Sequence, residues 1–312
     1  MYYKLHDWID ISNLEFDFLN QNPRAIDFLK SNPSYLDFEG LSMNPNAYEL
    51  LHENQDKIDY TTLSVNENPD IFNKFVIPNL DKCSWYYLSA NKIAISILKD
   101  NPHKIDFNQL CKNTSDGAIE ILIENPDKID WEKLSKNSNN KALELLIKNP
   151  DKINWDELSL NQNDKALELL INNPDKINWY YLSINPNDKA LELLINNPDK
   201  INWNMLSSNP NDKAVEILMK NLSNIRLFQL ASNTNPKVIE IFEMYKNKMD
   251  FDEIILAILS KNPIIFKLDY DMIKKRFEPL ADEIIKEVMH PRRICKYLEM
   301  HNYDYLTEMF GD

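Results

Sequence analysis

Bulky apolar residues return along this chain at intervals of 22 to 25 residues, all but the last followed three positions later by a leucine. The anchors are Phe16, Phe38, Tyr60, Trp85, Phe107, Trp131, Trp155, Trp179 and Trp203, and Leu227 and Phe251 continue the series. The interval is 24 residues from Phe107 onward, 22 in most of the earlier steps, and 25 between Tyr60 and Trp85. Self-similarity at this period marks a stack of supersecondary units, none of which can bury its apolar face alone.

Each unit reads as two short helices. Asn or Asp stands just before the anchor (Asp130, Asn154, Asn178, Asn202) and suits an N-cap, whose side chain accepts a hydrogen bond from a free first-turn amide. Helix A then begins at the anchor, shares one face with the leucine three positions on, and runs for about two turns. A serine after that leucine lets a neighbouring backbone approach. Helix B carries a broad apolar stripe, as in Ala166, Leu167, Leu169, Leu170 and Ile171, and stops at Asn-Pro because proline cannot continue it. Between the helices runs an asparagine ladder: Asn22, Asn44, Asn66, Asn91, Asn113, Asn137, Asn161, Asn185, Asn209 and Asn233. Asparagine tolerates the left-handed conformation and is a good N-cap, so the ladder is expected to end helix A or cap helix B.

The pattern predicts an all-α fold, an α-solenoid of about eleven short two-helix repeats with a C-terminal helical cap. An N-terminal cap is expected over residues 1–14, the array over 15–263 and a capping region over 264–312, because an open stack must cover its terminal apolar faces. Each anchor is expected to bury against the units on either side, at a cost of about 3 to 5 kcal/mol on truncation to alanine. Lys141 with Glu144, Lys165 with Glu168 and Lys189 with Glu192 are spaced for ion pairs within helix B.

Composition removes several classes of function. Three glycines among 312 residues leave no phosphate-cradling loop, and a net charge of −14 disfavours broad nucleic-acid binding. Five histidines show no metal-ligand spacing, and Cys83, Cys111 and Cys295 form no disulfide or zinc pattern. No metal or cofactor is expected. Neither a membrane span nor a secretory leader is legible, so the expected location is not extracellular. Polar groups repeated in register, rather than converging in a pocket, argue against an enzyme.

The phrases Leu182-Ser183-Ile184-Asn185-Pro186-Asn187 and Asn197-Pro198-Asp199-Lys200-Ile201-Asn202-Trp203 recur, with substitutions, in other units. They resemble the Asn-Pro-rich repeat proteins of giant DNA viruses of the mimivirus kind, and His290-Pro291-Arg292-Arg293-Ile294 with Tyr297-Leu298 is similar to a tail in those proteins. The resemblance implies a repeat fold and a viral origin, hence the host cytoplasm or the virion, and carries over no catalytic residue.

Candidate binding residues are those that vary while the frame does not. The two positions after the anchor hold Tyr86-Tyr87, Asp156-Glu157, Tyr180-Tyr181 and Asn204-Met205. Tyr86, Tyr87, Tyr180, Tyr181 and Met205 are expected to meet a protein partner, with packing on the neighbouring helix A as the competing account. Arg292 and Arg293, with Lys274, Lys275 and Arg276, offer a second surface for an anionic partner, against the plainer reading of a solvated cap. The expected function is a non-enzymatic protein-binding scaffold; a structural virion component is the first alternative, and nucleic-acid binding through the basic cluster the second.

Overall fold

The computed structural model describes residues 3–245, 253–288, 290, 292–294 and 296. It divides into two compact units, residues 5–266 and residues 1–4 with 267–312. The described chain is helical apart from a two-stranded sheet, Tyr3–Leu5 with Phe266–Leu268.

Within residues 5–266 the repeat has three helical pieces rather than two. In the unit anchored by Trp155, helix A spans Trp155–Ser159, helix B spans Asp164–Asn172, and a 3-10 turn, Pro174–Lys176, leads to the next anchor. The aspartate or asparagine before the anchor caps helix A as expected, with Asn154 accepting from the Glu157 amide at 3.1 Å. In the first ten units helix A has four to six residues, shorter than the two turns the sequence suggests, because its backbone turns extended soon after the leucine. At Asn44 the angles are φ −77°, ψ 119°, so the ladder asparagine ends helix A without a left-handed residue. The change of period also has a local cause. Helix B has six residues in Tyr48–Glu53, from a 22-residue unit, and nine in Asp164–Asn172, from a 24-residue unit.

The leucine column forms the continuous core: Leu19, Leu41, Leu63, Leu88, Leu110, Leu134, Leu158, Leu182, Leu206 and Leu230 are fully buried, joined by helix-B residues such as Ala166, Leu167 and Leu170. The aromatic anchors are not buried between units as expected. Phe16, Phe38, Tyr60, Trp85, Phe107, Trp131, Trp155, Trp179 and Trp203 are all half-buried. In four units a lysine from the following 3-10 turn region lies across the ring: Lys57 over Phe38, Lys82 over Tyr60, Lys104 over Trp85 and Lys128 over Phe107, at 4.4 to 5.1 Å from the centroid. The cation gains from the ring face while its methylene stem shields the ring from water.

The helix-B ion pairs join units rather than residues of one helix. Lys141 reaches Glu120, Lys165 reaches Glu144, Lys189 reaches Glu168 and Lys213 reaches Glu192, each carboxylate lying one repeat earlier. On these short helices the neighbouring B helix is within reach of the same side chains.

The array does not run as an open stack: it closes. Asn262 takes the eleventh ladder position, Leu259 the leucine position and Leu256 the anchor position, inside a lengthened helix A, Glu253–Lys261. Phe251, the expected anchor, lies outside the described residues. This last helix packs on the first, Phe16–Leu19. The Glu15 amide donates to Ser260 Oγ at 2.9 Å, Asn22 Nδ2 donates to the Ser260 and Asn262 carbonyls at 3.0 and 2.9 Å, and Arg24 reaches the Pro263 and Phe266 carbonyls. The segment expected to cap the N-terminus completes the last unit instead. Its 3-10 turn, Ile11–Asn13, stands in the same register before Phe16 as Pro150–Lys152 does before Trp155, and Trp8 stacks on Phe242 with centroids 6.0 Å apart. Ile264, Ile265 and Phe266, placed by the sequence in a terminal cap, are buried in this closed array.

The other unit is dominated by the helix Tyr270–Val288, which contains Pro279. Phe277, Leu280, Ile284 and Ile285 on it are exposed, and Lys4 pairs with Asp269 at 3.3 Å.

Candidate functional site

The ladder sets the frame. All eleven ladder asparagines use their side chain the same way. Asn161 Nδ2 donates to the Ser135 and Asn137 carbonyls of the preceding unit, both at 2.9 Å, and its Oδ1 accepts the Asn163 amide at 3.0 Å. Asn44, Asn66, Asn91, Asn113, Asn137, Asn185, Asn209 and Asn233 repeat this arrangement. Asn262 and Asn22 carry it across the closure. Capping is therefore the minor part of their role. The amide bridges two units through both donors while its oxygen holds the next turn, a set of bonds that Asp, with no donor, cannot make.

The residue that caps helix B lies two positions further on. Asn163 accepts from the Lys165 amide at 2.9 Å, and its own Nδ2 donates back to the Ser138 carbonyl and to Asn140 Oδ1. Asn139, Asn187, Asn211 and Asn235 form the same second row, which the sequence reading did not single out. A third row joins units through the residue after the core leucine. Ser135 Oγ accepts the Asn154 amide and donates to the Trp131 carbonyl, and Cys111 Sγ replaces serine in accepting the Asp130 amide at 3.3 Å. Burial raises the Cys111 thiol above its ordinary pKa, so it is held there as the neutral thiol.

On this frame the two positions after each anchor face outward or are half-covered, except Gly40 and Gln109, which are buried. Tyr86 and Tyr87 are exposed and meet edge to face at 5.2 Å; Tyr180, 45% exposed, meets the half-buried Tyr181 at 5.3 Å. Met205 is half-buried. These tyrosines thus pair with each other. Farther along the row Phe228 and Phe18 are exposed, as is Ile254 two positions before Leu256, so that Tyr180, Tyr181, Met205, Phe228, Ile258 and Phe18 make a mainly apolar arc, interrupted by Asn204, Gln229 and Asp17, across the last units and the closure. The sequence reading missed this continuation because it treats Phe18 and Ile258 as lying at opposite ends of an open stack.

The opposite arc is polar at the same positions: Asn108, Gln109, Glu132, Lys133, Asp156 and Glu157. Its concavity of about 470 Å³ is lined by Lys112, Thr114, Glu132, Lys133, Lys136, Asn137 and Glu157. The counterpart at the closure, about 710 Å³, is lined mainly by apolar side chains.

Arg292 and Arg293 are exposed, as are Lys274, Lys275 and Arg276, and they belong to the other unit, away from the tyrosine row in sequence. Arg293 Nη1 donates to the Glu287 carbonyl at 3.3 Å. Cys295 lies outside the described residues. Among the described residues no group of three or more His, Cys, Asp or Glu side chains is placed to hold a metal, and no helix is long and apolar enough to cross a membrane. No protein-family model, curated protein or solved structure matches the chain.

Proposed function

We propose that the chain is a non-enzymatic scaffold of a giant DNA virus that holds a protein partner on the row of helix-A positions after each anchor, in the host cytoplasm. The observation that carries this reading is the contrast between frame and row. Eleven asparagine bridges repeat unchanged, while the exposed positions beside them change from carboxylates and lysines to tyrosine, methionine and phenylalanine. Exposed aromatics held on a rigid backbone lose little conformational entropy on binding and make good anchors.

Affinity capture from infected cells, comparing the native chain with Tyr180→Ala/Tyr181→Ala and with Arg292→Ala/Arg293→Ala, tests the assignment. Loss of one partner with the tyrosine pair alone is the expected outcome. Loss with the arginine pair alone moves the contact to the basic cluster, and a high copy number in purified particles favours a structural role in the virion. Retention of nucleic acid above about 0.2 M salt would favour the third reading.

A further inference from the structure

The cavity at the closure has a composition that no partner-binding row requires. Its walls are Phe18, Ile254, Ala257 and Ile258, with the rings of Pro23 and Pro263, and among the described residues Lys261 is its one charged lining residue. It arises because the last helix A begins ahead of the register kept by the other units, adding Ile254 to the wall, while the small Ala257 leaves space. At about 710 Å³ it falls within the range of small-molecule sites, and it is far larger than one side chain needs.

Of the polar side chains that line it, Asn262 and Ser232 are committed elsewhere, which leaves Gln21, Thr234 and Lys261. Asn262 spends both amide donors on the Ala231 and Asn233 carbonyls and its oxygen on the Ile264 amide, and Ser232 Oγ donates to the Gln229 carbonyl. A peptide would therefore find few groups for its own backbone N–H and C=O, which must be paired when buried. A hydrocarbon tail has no such demand. Lys261 is exposed at the rim, with no ion pair among the described residues, in a chain of net charge −14.

We infer that the closure binds a fatty acid, with its hydrocarbon chain between Phe18, Ile254 and Ile258 and its carboxylate at Lys261. The site shares Phe18 and Ile258 with the apolar arc described above, but neither its contact at Lys261 nor its test depends on a protein partner. Calorimetry of the full chain with dodecanoate and with dodecanol tests it. The expected result is saturable binding of one dodecanoate, weakened about tenfold or more by Ala257→Trp, which fills the cavity. Lys261→Gln should weaken dodecanoate about threefold or more and leave dodecanol unchanged. Should Ala257→Trp lose its cooperative thermal unfolding, Ile254→Glu at the 61%-exposed rim position replaces it, with the same loss expected. No binding by the native chain, unchanged binding in a folded cavity variant, or equal loss of acid and alcohol on Lys261→Gln would each overturn the inference. Binding to anionic vesicles without binding of the free acid would overturn it too, pointing to a membrane surface.

Discussion

The two concavities on the helix-A row are built on one backbone plan and lined by opposite chemistry. Ser232 and Thr234 at the closure stand where Lys112 and Thr114 stand in the polar arc, Ala257 and Ile258 where Glu132 and Lys133 stand, and Phe18 where Glu157 stands. Lys261 and Lys136 are equivalent, as are Asn262 and Asn137. The buried hydrogen bonds that hold the frame do not use the side chains at these lining positions, apart from the asparagine itself, so the lining is free to differ. Stability and recognition are thus carried by different residues of the same unit.

The frame is where the largest effects should fall. Asn161→Ala strips partners from two buried carbonyls and one half-buried amide, and should cost about 3 kcal/mol in denaturant unfolding. Asn161→Asp should lose a similar amount despite its near-identical shape, because a carboxylate cannot donate. Trp155→Ala should cost about 2 kcal/mol, less than a fully buried aromatic would, because its ring is half exposed. On the lining, Phe18→Glu with Ile258→Lys copies the polar arc into the closure. It should abolish dodecanoate binding while leaving the unfolding midpoint within about 1 kcal/mol, since both side chains already meet water.

Acid should produce the smallest effect. The Asp116, Asp164 and Asp188 carboxyls lie below their ordinary value of 3.8, chiefly because the second-row Asn139, Asn187 and Asn211 of the following unit donate to them. Their contribution is complete above that value and is lost as pH falls through the lowered one. The melting temperature of the native chain should therefore fall more between pH 5 and pH 2.5 than that of Asp164→Asn.

How much of this was legible depends on which part of the unit is considered. The caps of helix A, the end of helix B at Asn-Pro and the leucine core follow from local rules. The ladder is visible in the sequence, and so is its place at the end of helix A, but its bridging of neighbouring units is not. At the helix-A cap Asp and Asn interchange, as in Asp130 and Asn154, because only an acceptor is needed. At the ladder the residue is Asn in every unit because both donors are used, and that lack of interchange was the available signal. The half-burial of the tryptophans depends on how neighbouring units slide past each other, which periodicity does not encode. Closure was hidden by the last unit. Its ladder asparagine follows the previous one by 29 residues rather than 24, its anchor is Leu256, and the turn before Phe16 lacks the Pro-Asp-Lys phrase. The lysine pairs were placed within helix B because that spacing also satisfies the intrahelical rule.

The closure of the array is tested most directly by a distance between labels at Gln21→Cys and Lys261→Cys, measured by pulsed electron spin resonance in a chain carrying Cys295→Ser, with Cys83 and Cys111 buried. Both positions line the same cavity, so the closed array predicts one population of short distances, below about 25 Å, within reach of flexible labels. An open stack of eleven units at helix-packing spacing would separate them by on the order of 90 Å, and a distribution centred there would contradict the account.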